Sequence, residues 1–337
     1  MHLDQIKKII NSNSYDFLRT DEHLKDRIML LTLGGSHAYG TSNENSDIDV
    51  RGFFAEGPRE IIGLSNYEQF DNLQTDTVLY SFRKIVQLML NCNPNTIEIV
   101  GTKPEQIFVL SNEGKMLRDN ASLFLSQRAI HSFSGYATAQ LRRLENALAR
   151  DSYPQPEKEK HILASLSNQI HHLQKHYTDF IDGSINLYIE KSMKEDLEEE
   201  IFMDITMSHY PLRDFKNIYS EMSNLLQEYG KLNKRNRKKD EIHLFKHAMH
   251  LCRLKLMCIN ILTKAEITTY MEEHLKLLLD IRNGVYTYPE IFEISKRIDV
   301  ELEYAIKHCI LPEQPDIIRV EELVMEINNL LLKSYGF

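Results

Sequence analysis

The sequence predicts an α+β protein: a small α/β domain over residues 1–110, followed by a larger all-helical region over residues 111–337. Three observations carry this reading. Short apolar runs of strand length alternate with turns in the first part. One of these runs ends directly on a glycine pair. After about residue 110 glycine becomes scarce and apolar residues recur at helical spacing.

Residues 3–10 and 21–28 carry apolar residues at helical spacing and read as helices. Met29-Leu30-Leu31-Thr32-Leu33 is an apolar run that stops at Gly34, as a buried strand entering a tight turn does. Asp49 to Ala55 reads as the next strand. Pro58 and Gly63 bracket a loop or short helix. Asp76-Thr77-Val78-Leu79-Tyr80 is the third strand; it runs into a helix at Phe82–Leu90 that stops before Pro94. Further helices are expected at 113–119, 121–149, 157–179, 194–206, 212–229, 241–264, 270–282, 288–309 and 319–334. Pro154, Pro156, Pro211, Pro312 and Pro315 mark the breaks. No internal repeat is visible.

Composition narrows the class. The 337 residues are 42% hydrophobic and 26% charged, ordinary for a soluble protein. No apolar run reaches membrane-spanning length, and Met1-His2-Leu3-Asp4-Gln5 lacks the basic start of a signal peptide. Cys92, Cys252, Cys258 and Cys309 form no C-x-x-C. They read as reduced thiols in a cytoplasmic protein. A net charge of −9 argues against a chain built wholly to coat nucleic acid, though not against a local basic patch.

The chemistry concentrates in Gly34-Gly35-Ser36-His37-Ala38-Tyr39-Gly40 and Ser46-Asp47-Ile48-Asp49-Val50. On a strand Asp47 and Asp49 point to one face and Ile48 to the core. Paired carboxylates repel unless a cation sits between them. Mg²⁺, with Mn²⁺ as its substitute, takes one or two carboxylates plus substrate phosphates. Taken alone, D-x-D is also what a solvated turn looks like. Gly35 and its neighbour leave the backbone open to close approach, and their amides with the Ser36 hydroxyl suit phosphate oxygens. Taken alone, this is also an ordinary strand-to-helix turn. It is neither a Walker loop nor G-x-G-x-x-G.

In series, with ten residues between Ser36 and Asp47, the two motifs are specific. They resemble the nucleotidyltransferases of the DNA polymerase β superfamily. The segments Gly35–Gly40 and Ser46–Gly52 are similar to its RNA-repair-pathway family, as are Asn93-Pro94-Asn95 with Glu98, Ser134-Gly135-Tyr136-Ala137 with Gln140-Leu141, and Lys246–Arg253. The likeness spans roughly residues 29–284. It implies a polymerase-β-like domain at the N-terminus. It also implies a third carboxylate that binds metal and activates the attacking hydroxyl. Asp76 is the choice, at the start of the third strand; Asp71 and Glu98 are its rivals.

Lys246, His250 and Arg253 fall at i, i+4 and i+7 on one helix face. Such a stripe on an apolar helix faces an anion or water. A solvated stripe paired with Asp240 and Glu241 has the same spacing; the resemblance favours triphosphate. Tyr136 and Gln140, also four apart, suit either core packing or a base. His171, His172 and His176 suit a polar helix surface better than zinc. Six cations in Lys231–Lys239 form either a nucleic-acid track or a solvated loop, and Glu195–Glu200 an exposed acidic face.

Together these residues point to a Mg²⁺-dependent nucleotidyltransferase. Asp47, Asp49 and Asp76 would be the catalytic metal ligands, and Gly35, Ser36, Lys246, His250 and Arg253 would hold the nucleoside triphosphate. The resemblance implies an RNA end, tRNA included, as acceptor. Two other classes share the residues: an enzyme modifying a protein or small-molecule hydroxyl, as toxins and resistance enzymes do, and a non-catalytic nucleotide- or RNA-binding protein of this fold. Intact Gly35, Ser36, Asp47 and Asp49 speak against the last.

Overall fold

A computed structural model of the chain describes residues 2–44, 46–152, 159, 160, 162–164, 166, 185–193, 198–206, 212, 219, 220, 222–224, 226, 227, 229 and 241–337. The chain opens with α1 (Leu3–Ile10) and α2 (Phe17–Thr20), then β1 (Ile28–Leu33), α3 (Gly35–Tyr39), β2 (Val50–Phe54) and α4 (Pro58–Ile61). It continues through β3 (Gln69–Asn72), β4 (Thr77–Ser81), α5 (Phe82–Leu90), α6 (Pro94–Val100), β5 (Ile107–Leu110), α7 (Asn112–Asp119) and α8 (Arg128–Ser152). A hairpin of β6 (Ile185–Lys191) and β7 (Glu199–Ile205) follows. Then come α9 (Glu241–Lys264), α10 (Leu275–Arg282), α11 (Tyr288–Lys307) and α12 (Ile317–Ser334).

The expected class holds: a mixed sheet with a helical C-terminal region. The sheet runs β3-β4-β2-β1-β5. β2 and β4 are parallel, Val50 opposite Thr77, whereas β1 meets β2 and β5, and β3 meets β4, antiparallel. Parallel pairing needs a long crossover. The chain between β2 and β4 provides it through α4 and β3, and the crossover sets the start of β4 beside the start of β2. Leu31, Leu33, Val50, Phe54 and Leu79 pack on Ile6, Ile10, Tyr15, Leu18 and Leu24 as one core. Strand alternation sends Arg51 and Phe53 to the opposite face, where the site forms.

The chain divides into two compact units, Met1–Arg142 with Phe245–Phe337, and Arg143–Leu244. Residue 110 lies inside the first. In the second, Ile185 with Leu187 and Ile201 packs on Ile162 and Leu166.

Three local expectations are corrected. Residues 21–27 form turns rather than a helix: the Asp21 side chain accepts from the His23 amide and Asp26 adopts φ +54°. The helix expected at 194–206 is strand β7, because Glu200-Ile201-Phe202-Met203-Asp204-Ile205 carries β-branched and aromatic residues that pair with β6. The strand expected from Asp49 begins at Val50. Much of 157–179 and 212–229 lies outside the described residues, as do His171, His172, His176 and Lys231–Lys239.

Leu79 is fully buried in the central parallel pair. Leu79→Ala leaves a cavity that rigid strands on both sides cannot close. Denaturant unfolding should show a loss of about 2–5 kcal/mol.

Candidate active site

β1 feeds the chain into α3 through Gly34 and Gly35. The Gly34 amide donates to the Asp49 carbonyl at 2.8 Å, tying the turn to the residues that lead into β2. Gly35 has φ +53°, and a Cβ there would stand 1.8 Å from Asp49 Oδ2. Glycine alone lets that carboxylate lie against the turn. Ser36 is buried at the start of α3.

Asp49 faces Asp76 across the β2–β4 pair. The Val50 amide donates to the Asp76 carbonyl at 3.1 Å, so the register of the parallel strands brings the two acids together. The carboxyls hydrogen-bond each other. Burial first, then that bond to Asp76, pushes Asp49 up to about 7. The same bond holds Asp76 below its ordinary value. The pair therefore shares a proton near neutral pH. Arg51, two residues after Asp49 and on the same strand face, reaches Asp49 Oδ1 at 3.3 Å and Asp76 Oδ1 at 2.9 Å, and also donates to the Asp76 carbonyl. The Lys246 charge also acts on both acids. Two adjacent carboxylates make a hard oxygen donor set of the kind that suits Mg²⁺ or Mn²⁺.

Asp47 stands apart from them. It is exposed on the lead into β2 and has no hydrogen-bond or ion-pair partner among the described residues, while Ile48 packs on the core as expected. Among the described residues no three His, Cys, Asp or Glu side chains lie close enough to hold a metal on their own. The rivals to Asp76 are placed elsewhere. Asp71 is exposed on edge strand β3 and accepts from Gln69 at 2.7 Å. Glu98 is buried, and both its oxygens are engaged.

Those engagements organise the opposite wall. Arg253 Nη1 donates to Glu98 Oε1 at 2.6 Å, and the Tyr39 hydroxyl donates to Glu98 Oε2 at 2.6 Å. The Arg253 guanidinium lies over the Tyr39 ring, 3.7 Å from its centroid. The Thr269 hydroxyl donates to the Glu98 carbonyl at 2.7 Å. α9 is thus fastened beneath α3. Its expected face does meet the glycine turn, but its members differ in depth. Lys246 is exposed toward the acids, His250 packs edge-on against Tyr39, and Arg253 is 3% exposed with its charge committed to Glu98. Burial, and the charges of Arg253, Lys246, His247 and Arg282, hold His250 well below the usual histidine value, so it is neutral. Beside the turn a cavity of about 240 Å³ is lined by Gly35, Arg51, Tyr80, Asn95 and Glu98. Tyr136 and Gln140 lie outside it: Asn93 donates to the Tyr136 hydroxyl at 3.4 Å, and Gln140 meets His247 at 2.8 Å.

Sequence reasoning missed Arg51 and Arg282. Arg51 was open to detection, since i+2 on a strand shares the face of Asp49. Arg282, at the end of α10, carries no local signal; its Nη2 donates to Ser46 Oγ at 3.1 Å.

Residues 3–332 match the profile described as the RNA repair pathway DNA polymerase beta family. An uncharacterized 38.9 kDa protein of the nrdC–mobD intergenic region of Enterobacteria phage T4 is 22% identical over 306 residues, covering 80% of this chain and 87% of its own. No solved structure matches. Among the described residues no helix is long and apolar enough to cross a membrane.

Two measurements check the site. Glu98→Gln leaves the buried Arg253 guanidinium without its counter-charge and should destabilise the fold by about 3–5 kcal/mol in denaturant titration. Asp49 has a folded-state value raised from 3.8 to about 7. The folded protein therefore keeps a proton that the unfolded chain loses. That contribution is complete below the unfolded value and declines as pH rises to the folded one. Asp49→Asn removes the decline. Without metal, the variant should melt above the wild type at pH 8, with the gain shrinking toward pH 5; a gain independent of pH would contradict the shared proton.

Proposed function

The chain belongs to the RNA repair pathway DNA polymerase beta family, and on that premise we propose that it is a metal-dependent nucleotidyltransferase that joins a nucleoside monophosphate to the hydroxyl of an RNA end. The observation that carries the reading is the Asp49–Asp76 pair held against Gly35, with Lys246 above it. An acid pair of this kind has little use in a protein that only binds RNA, whose phosphates it would repel.

Asp49 and Asp76 would hold Mg²⁺ or Mn²⁺, which would supply Lewis-acid stabilisation of the phosphoryl oxygens; Asp47, exposed and apart from them, is left out of this donor set. The amides at Gly35 and Ser36 receive triphosphate oxygens at the start of α3. Arg51 keeps the two carboxylates oriented and offsets part of their repulsion. Asp76, the ionised member of the pair, accepts the proton of the acceptor hydroxyl as the new oxygen–phosphorus bond forms at the α-phosphate. The bond from that phosphorus to the β-phosphate oxygen breaks, and pyrophosphate leaves toward Lys246. His250, neutral, supports Tyr39 beneath the turn. Arg253 acts through Glu98 and Tyr39, positioning the turn rather than touching phosphate. RNA as acceptor rests on the family's description.

The test offers each α-labelled nucleoside triphosphate with Mg²⁺ or Mn²⁺ to the protein alone, to tRNA, to short RNA and to a protein extract. Metal-dependent label on RNA is expected. It should fall by about 10³-fold or more in Asp49→Asn and Asp76→Asn proteins that melt cooperatively. Label on protein would move the acceptor to the toxin-like class. Undiminished transfer by Asp49→Asn would remove the acid pair from the chemistry.

A further inference from the structure

The loop between α3 and β2 holds a second polar cluster, opposite in sign to the acid pair. The Arg282 guanidinium reaches it from α10 and donates from Nη2 to Ser46 Oγ at 3.1 Å. Ser46 Oγ in turn donates to Asn43 Oδ1 at 2.9 Å and accepts from the Asn43 amide at 2.8 Å, so its hydroxyl belongs to the loop. Arg282 Nη1 is buried and has no hydrogen-bond partner among the described residues, and no carboxylate there forms an ion pair with it. A buried guanidinium donor left open is uncommon, because its desolvation is uncompensated. It marks a place where something absent from the bare chain accepts a hydrogen bond.

The neighbours agree on the sign of that missing group. The His37 ring hydrogen-bonds the Ser46 backbone, and its Nε2 is likewise buried without a partner. Burial and the charge of Arg282 lower its basicity. His250 is depressed by the charges of Lys246 and Arg282 as well as by burial. Arg282 thus bears on both His37 and His250, and Lys246 on His250. The nearest acid in sequence, Asp47, is exposed and pairs with none of them. An excess of cation over acid, partly out of water, calls for an anion with several oxygens.

We propose that Arg282, together with Lys246, seats the terminal phosphates of the nucleoside triphosphate, making this cluster the element that selects a triphosphate over a monophosphate. The assignment rests on the nucleotidyltransferase reading of the same site and gives Arg282 the phosphate-binding part that its spacing suggested for Arg253. Arg282 offers a planar fork of donors with one arm anchored on Ser46 and the other free, the geometry suited to phosphate oxygens. Lys246, exposed and with its charge felt by both acids and by His250, serves the bridging side of the chain of phosphates. The anion answers the open Nη1 donor and relieves the repulsion among the cations; a monophosphate held at the glycine turn has no oxygen to reach them.

Calorimetric titration of the full chain with ATP, inorganic tripolyphosphate and AMP tests this, using wild type, Arg282→Gln and Arg282→Lys, with melting temperature recorded for each. Arg282→Gln should weaken ATP and tripolyphosphate by about 10- to 100-fold, the range of a lost charge-assisted contact. AMP should stay within about twofold, and Arg282→Lys should recover part of the loss. Equal ATP affinity in Arg282→Gln and wild type overturns the proposal. So does a parallel loss of AMP, which would make Arg282 a staple for the Ser46 loop. Polyphosphate binding that depends on Arg282 upholds the cluster even if no transfer is ever found, whereas transfer by a wild type indifferent to Arg282 upholds the enzyme and discards the cluster. A wild type that binds neither ATP nor tripolyphosphate overturns both.

Discussion

One buried ion pair sets the rest of the site in place. Glu98 and Arg253 lie 155 residues apart in sequence, yet they meet at 2.6 Å with almost no access to water. Neither charge is tolerable there alone, since removing an ion from water costs several kcal/mol that only a close partner and further hydrogen bonds offset. The close partner is there and Glu98 is fully bonded, while Arg253 Nε is buried without a hydrogen-bond partner among the described residues. Tyr39 gives Glu98 a hydroxyl and Arg253 an aromatic face, and Thr269 binds the Glu98 backbone. Because Tyr39 closes α3 and Arg253 belongs to α9, satisfying this pair fixes a late helix beneath the glycine turn. Lys246 then comes to the acids because it shares a face of that helix. The fold links two distant stretches of chain through a polar contact, where apolar packing alone would leave the rotation of α9 less defined.

Around that fixed point the charges are separated rather than matched. On one side Asp49 and Asp76 share a proton and lean on Arg51; on the other Lys246 and Arg282 crowd two neutral histidines. The acid half is held by a proton and Arg51, whereas the cationic half is poorly compensated in the bare chain, which lowers stability in the way functional sites commonly do. A polyphosphate bound with a divalent cation brings opposite charges in the order the site presents them. On the proposed reading the metal would answer the acids and the phosphates would answer the cations. The arrangement favours the complete ligand over either component. It also explains why Arg51 lies where it does: a guanidinium on the strand face keeps two carboxylates adjacent in the absence of metal without filling the space against Gly35.

Much of the frame was legible in the sequence because it is written locally. The apolar run into Gly34 and the helix at 241–264 each depend on residues close together in the chain, and each formed; the D-x-D pair did not form on a strand, because β2 begins at Val50. Asp76, expected to open a strand, lies in the turn just before it, since β4 begins at Thr77. What was lost was set by tertiary partners. Strand β7 lies in a charge-rich stretch, 194–206, that reads as a helix with Glu195–Glu200 on its exposed face until it pairs with β6. Turns at 21–27 follow from one Asx side chain and one left-handed residue, signals weaker than the apolar spacing around them. Arg282 is anonymous in sequence. Only the return of α10 to the loop after α3 gives it meaning.

The α9 stripe shows where periodicity stops being informative. Spacing of i, i+4 and i+7 correctly placed Lys246, His250 and Arg253 on one face, but a face has a depth profile that spacing does not encode. Along this helix the surroundings change within two turns from open cleft at Lys246 to closed interior at Arg253. The same cation chemistry therefore divides into two tasks. At the open end a charge is available to a ligand. At the closed end it must already be neutralised for the protein to fold, and a charge committed to Glu98 cannot also be offered to phosphate without giving back that pairing. Cations that bind an exchangeable anion are therefore to be sought where burial is partial and an acid partner is missing. Arg282 meets that condition and Arg253 does not; Lys246 lies at the open end, exposed and within reach of the acid pair.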